Sequence, residues 1–143
     1  MTKSLVVDAS LTFKLLLPDP QRAAVQKLVT GWERDGYTLC APTLWVYETT
    51  SALCKMMNLR KLAPDKGQRA LTSAQGLGVQ LIPPDDAQTR LALDWTVRLR
   101  RTAAYDSFYL ALAETLRCDL WTADKRLRNA VNQPWVRWID DSG

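Results

Sequence analysis

The sequence predicts an α/β fold with a mainly parallel central sheet, in one domain over residues 1–143. Two observations carry that expectation. Short apolar runs of strand length alternate with longer segments whose apolar residues recur at helical spacing. Each strand candidate is also separated from the next by one or more helices, and such crossovers join parallel strands.

The elements follow in order. "SLVVD", residues 4–8, reads as a buried strand because Leu5, Val6 and Val7 run on without polar alternation. "ASLTFKLLL" then runs helically until Pro18. In "DPQRAAVQKLVTGWERDG", Asp19 is the expected N-cap and Pro20 the first helical position. Ala24, Val25, Leu28 and Trp32 form its apolar face, and Gly36 closes it. "YTLCAP" is a second strand, and Pro42 and Thr43 open a helix over 43–61. Pro64 opens another through about Gln75. "GVQLIP" is a third strand, stopped by Pro83 and Pro84. Asp85 or Asp86 caps a helix over 86–101, with Ala87, Leu91, Trp95 and Val97 or Leu99 on one side. "TAAYDSFYLALAETLR" is helical, "DLWTAD" a fourth strand, "KRLRNAVN" a short helix and "WVRWI" a last strand.

Composition narrows the chemistry. Apolar residues make up 47% and charged residues 24%, and a core of this size needs neither metal nor disulfide to fold. The three cysteines, Cys40, Cys54 and Cys118, are isolated among apolar neighbours, and the expectation is three buried thiols reduced in a cytoplasm. No signal peptide and no membrane-length apolar run is expected. The formal charge of +4 permits an anionic partner without demanding one. The absence of histidine excludes Ser-His-Asp and Cys-His nucleophile pairs, HExxH zinc sites and imidazole acid–base catalysis. Any chemistry falls to carboxylates, lysines, hydroxyls or a metal.

Four acids then stand out, each with an ordinary structural explanation. Asp8 and Asp124 end strands, at the edge where ligands bind on parallel sheets, yet either could cap the helix that follows. Glu48 has Leu44, Trp45, Ser51 and Ala52 as helical neighbours, where a lone charge is expensive unless it reaches solvent. Asp106 has Thr102, Ala103, Tyr109 and Leu110 around it and could equally complement a helix N-terminus. Were the four to meet, they would repel in a partly dry cleft, and a divalent cation would neutralise them. Oxygen-only ligation suits hard ions, Mg²⁺ or Mn²⁺, which activate water and stabilise a phosphodiester in flight.

The stretches "VVDAS", "YETTSAL", "AYDSFYLALAE" and "LWTADKRL" together resemble the motifs of PIN-domain nucleases, with VapC-type toxins of toxin–antitoxin pairs the nearest likeness, from residue 4 to about 138. That resemblance implies a three-layer α/β/α sandwich and a Mg²⁺- or Mn²⁺-dependent endoribonuclease. It implies that Asp8, Glu48, Asp106 and Asp124 form the acidic cluster, with Asp8, Asp106 and Asp124 as metal ligands and Glu48 holding a metal or orienting water. Ser10 and Thr122 match hydroxyl positions that support the pocket. An antitoxin partner and a homodimer are implied with them. The alternative is a solitary PIN-like module that binds RNA or protein without cutting. A metal phosphatase is disfavoured because "DAS" lacks the second Asp of a DxD pair.

Among the basic runs, Lys125, Arg126 and Arg128 follow Asp124 directly and are the candidates for holding RNA phosphate. "NLRKLAPDKGQR" and "RLRR" read as solvated helix faces. Trp32, Trp45 and Trp95 belong to apolar helical faces and hence to the core. Leu53, Met56, Met57 and Leu59 are also read as core, although an exposed stripe there would form a groove for the antitoxin.

Overall fold

The computed structural model describes residues 3–142. Its strands are β1 (Lys3–Val7), β2 (Tyr37–Pro42), β3 (Gln80–Ile82), β4 (Leu120–Thr122) and β5 (Val136–Trp138). Its helices are α1 (Ala9–Leu16), α2 (Arg22–Arg34), α3 (Leu44–Asn58), α4 (Pro64–Gln75), α5 (Asp86–Arg98), α6 (Tyr105–Leu116) and α7 (Lys125–Val131), followed at the end by a 3₁₀ turn over Ile139–Ser142. Every neighbouring pair of strands is parallel, in the order β3-β2-β1-β4-β5. The chain steps outward from β1 to β3, then returns across the sheet to β4. The order therefore reverses between β1 and β4, which creates a crevice at their carboxyl ends.

Both faces of the sheet are covered, which explains why β1 is apolar throughout rather than alternating. Leu5 and Val7 point into one core with Leu11 and Leu15 of α1, Val25, Val29 and Trp32 of α2, and Trp121. Val6 points the other way, into a core built from Trp45, Trp95, Tyr109, Leu110, Leu112 and Leu127. The period-two geometry of one strand thus serves two helical layers, as the sandwich expectation requires. The indole N–H groups of two buried tryptophans find acceptors. Trp45 donates to Thr12 Oγ1 at 2.9 Å and Trp95 to Glu114 Oε1 at 2.6 Å. Among the described residues no helix is long and apolar enough to cross a membrane.

Several local expectations are corrected. Asp19 does not cap α2. Its carboxylate turns onto the Gln21 amide at 2.8 Å and the Lys14 ammonium at 2.9 Å, and the helix starts only at Arg22. On α5 the buried side is Gln88, Ala92, Trp95 and Thr96, while Val97 is exposed. The α5–α6 pairing selects small and polar residues there, because Thr96 Oγ1 lies 2.8 Å from Ser107 Oγ across a buried contact. Cys54 is exposed and Cys118 partly so, leaving Cys40 as the one fully buried thiol among the three. Met56 and Met57 pack beside Leu53 and Leu62, whereas Leu59 is exposed.

Helix ends differ most from the sequence reading. The chain leaves α3, α5, α6 and α7 through left-handed residues at Arg60, Arg100, Arg117 and Asn132. Glycine is the usual residue there, and without it the pattern reads on as helix. Asp85 does cap α5, accepting from the Gln88 amide at 2.7 Å. Asp85→Ala is expected to cost about 1 kcal/mol and to lower the urea midpoint with an unchanged slope.

Candidate active site

The crevice between β1 and β4 holds Asp8. It follows β1 in an extended conformation and caps α1, accepting from the Leu11 amide at 3.0 Å. The same oxygen accepts from Ser10 Oγ at 2.7 Å. Ser10 Oγ in turn accepts from the Ala123 amide at 3.1 Å and lies 3.2 Å from Thr122 Oγ1. Thr122 Oγ1 accepts from the Asp124 amide at 2.9 Å. Two hydroxyls therefore tie the carboxyl end of β1 to that of β4 and hold Asp8 in one orientation. Asp8 is only 6% exposed. Burial pushes its carboxyl up to about 6; hydrogen bonding from Thr122, Ser10 and the Leu11 amide acts the other way, and the charge of Asp106 adds to the rise.

Glu48 enters from α3 and is half-buried. Its Oε1 accepts from the Tyr109 hydroxyl at 2.6 Å, a bond that spans α3 and α6. Burial raises the Glu48 carboxyl, the Tyr109 bond lowers it, and Asp106 raises it again. Tyr109 is 1% exposed and is held neutral well above its ordinary range, first by burial and then by Glu48. Asp106 sits in the first turn of α6 and pairs with Arg101, Nη1 to Oδ2 at 2.7 Å.

The acids do not all gather alike. Asp106 acts through its charge on both Asp8 and Glu48. Asp124 is occupied locally: it caps α7, with Oδ1 accepting from the Arg126 amide at 2.9 Å and the Leu127 amide at 3.3 Å. Among the described residues no three acids or thiols form a ready-made metal cage. Of the four acids expected from sequence, Asp106 is linked by charge to Asp8 and to Glu48, and Asp124 is linked to Asp8 through Thr122 and Ser10. The physical reason is local competition. Helix amides, hydroxyls and one arginine each take up an oxygen of these acids.

A cleft of about 510 Å³ opens beside the acids, lined by Glu48 and Asp106 with Arg100, Arg101, Thr102 and Tyr105. Of the expected phosphate-binding residues, Lys125 and Arg126 are exposed. Arg128 is engaged, paired to Asp141 at 3.2 Å and stacked on Trp138. Sequence reasoning missed Arg101 and Tyr109. "RLRR" reads as a solvated face, and no spacing rule links residue 101 to residue 106 across a turn. Tyr109 has a weak signal, a tyrosine one turn beyond Asp106 on an otherwise apolar face.

A conserved-family model, PIN domain, matches residues 5–132. The chain belongs to the PIN domain family. It is 37% identical over 123 residues to Ribonuclease VapC9 of Mycobacterium tuberculosis, covering 86% of this chain and 87% of that one. Among solved structures it is similar to PAE2754 from Pyrobaculum aerophilum, with a TM-score of 0.73 and 21% identity, covering 99% of this chain and 95% of that one. It is also similar to VapBC2 from Rickettsia felis, solved bound to a DNA fragment from their promoter, with a TM-score of 0.70 and 9% identity, covering 94% and 96%.

Proposed function

We propose that the protein is a metal-dependent endoribonuclease and the toxin of a toxin–antitoxin pair. The observation that supports this most is the 37% identity to a ribonuclease along nearly the full length of both chains. The ion would be Mg²⁺ or Mn²⁺. The donor set suits one in kind, because it offers hard oxygens and no imidazole. Asp8 is a buried acid with no cationic side chain paired to it among the described residues, and Asp106 makes its charge costlier still. Asp8 and Asp106 would hold the ion, and Asp124 is a further candidate through the oxygen that the α7 amides leave unbonded. When bound, such an ion neutralises phosphate charge and acidifies water.

The chain's own residues would do the rest. Ser10 and Thr122 fix the rotamer of Asp8. Glu48, which accepts from Tyr109 and lines the cleft, would accept a proton from the attacking water. Lys125 and Arg126 would lie along the RNA backbone, with Arg128 following if it exchanges Asp141 for phosphate. An antitoxin subunit, a homodimer and a cytoplasmic setting belong to the same reading.

The test is direct. The purified protein should cut RNA with Mg²⁺ or Mn²⁺ and stop on adding EDTA. Asp106→Asn should lose cleavage and keep RNA binding. The second reading, an RNA-binding module that does not cut, is favoured by the Arg101 pairing that already neutralises Asp106. Binding that survives EDTA, with no cleavage under either metal, would select it.

A further inference from the structure

Arg101 is held where it is by the fold, and its place is explained by nothing in the core. The chain leaves α5 through the left-handed Arg100 at φ +55°, a conformation unfavourable for a residue with a side chain. The Arg100 amide bonds to the Val97 carbonyl at 3.1 Å and the Arg101 amide to the Thr96 carbonyl at 3.1 Å, which together form a Schellman closure. Thr96 is locked to Ser107 of α6 by the buried hydroxyl pair at 2.8 Å. The end of α5 and the start of α6 are therefore pinned together, and Arg101 is delivered onto Asp106 rather than drifting there. The pair stands at the mouth of the cleft with Arg101 30% and Asp106 41% exposed, so both groups can exchange partners.

We propose that Arg101 is the resident counter-cation of this site. It neutralises Asp106 while no divalent ion is present, yields that carboxylate when one binds, and then receives a phosphate of the RNA. A guanidinium suits both duties, because its planar fork pairs with a carboxylate or with a phosphate in the same two-bond geometry. Arg100, on the same wall, adds a second positive charge to the phosphate's path. The inference rests on the nuclease reading for its metal and its substrate.

The experiment measures Mn²⁺ affinity by calorimetry, and affinity for a non-cleavable RNA in saturating Mn²⁺, for the wild type, Arg101→Gln and Arg101→Lys. Removing a competing cation should tighten Mn²⁺ binding by up to about fivefold in R101Q, the worth of a partly exposed ion pair. RNA binding in Mn²⁺ should weaken in the same variant. R101K keeps the charge and should hold Mn²⁺ affinity near the wild-type value, which a merely structural role for Arg101 would not do. Mn²⁺ affinity equal or weaker in R101Q overturns the proposal while leaving the nuclease reading intact. No Mn²⁺ binding by any of the three proteins overturns the metal reading, and this inference falls with it.

Discussion

Replacing Asp8 by asparagine should abolish RNA cleavage and, in the metal-free protein, raise the melting temperature. The carboxyl is nearly inaccessible, and its value of about 6 stands against 3.8 for the free group. That difference corresponds to roughly 3 kcal/mol of native-state destabilisation at pH well above 6. Asparagine can still accept from Ser10 and Leu11, and it caps a helix as well as aspartate does. A rise of several degrees follows, up to about 10 °C. The sign with pH is fixed. The folded value lies above the unfolded one, so the contribution of Asp8 is fully favourable below about 4 and is lost as pH rises through about 6. Wild type and variant should therefore melt alike near pH 4 and diverge towards pH 7. Calorimetry across that range checks it. A variant that melts lower at pH 7 would show that the hydrogen bonds from Ser10, Thr122 and the Leu11 amide outweigh the cost of burying the charge.

Leu110→Ala should have the opposite character, with a large loss of stability and intact chemistry in the molecules that fold. Leu110 is fully buried on α6, in the core shared with Val6, Leu112 and Leu120. Truncation removes apolar contact and leaves a cavity that close-packed neighbours fill only in part, at a cost of about 3 kcal/mol. The melting temperature should drop by about 10 °C. Asp106 and Tyr109 ride on the same helix, but the Thr96–Ser107 contact and the Tyr109–Glu48 bond hold its first turns independently of Leu110. Cleavage well below the new midpoint should persist. Loss of activity in folded L110A would mean that site geometry depends on core packing of α6.

The element order was legible because strand and helix signals do not overlap in this chain. "SLVVD" is too apolar for a surface helix, and Val25, Leu28 and Trp32 repeat at helical spacing, although Val29 rather than the exposed Ala24 completes the buried face of α2. Helix ends were less legible. Arg60, Arg100 and Arg117 take a conformation for which arginine gives no signal, and each helix read through its own stop. Asp19 failed as a cap because two residues competed for its carboxylate. In the site, the acids were visible as charges out of place on apolar elements. Their partners were not. The pairing of Asp106 with Arg101 depends on a turn that only the packed α5–α6 corner creates. Asp124 could be read as ligand or as cap from the same five residues, and its Oδ1 is committed to the cap.

The account turns on Asp8, Glu48 and Asp106 forming one negative site that a divalent ion relieves. The most direct measurement is an anomalous difference map from crystals soaked in Mn²⁺. A peak at ligand distance from Asp8 and Asp106, with Arg101 turned away, is the predicted result. A map with no peak at that crevice at millimolar Mn²⁺, and Arg101 still on Asp106, would contradict it.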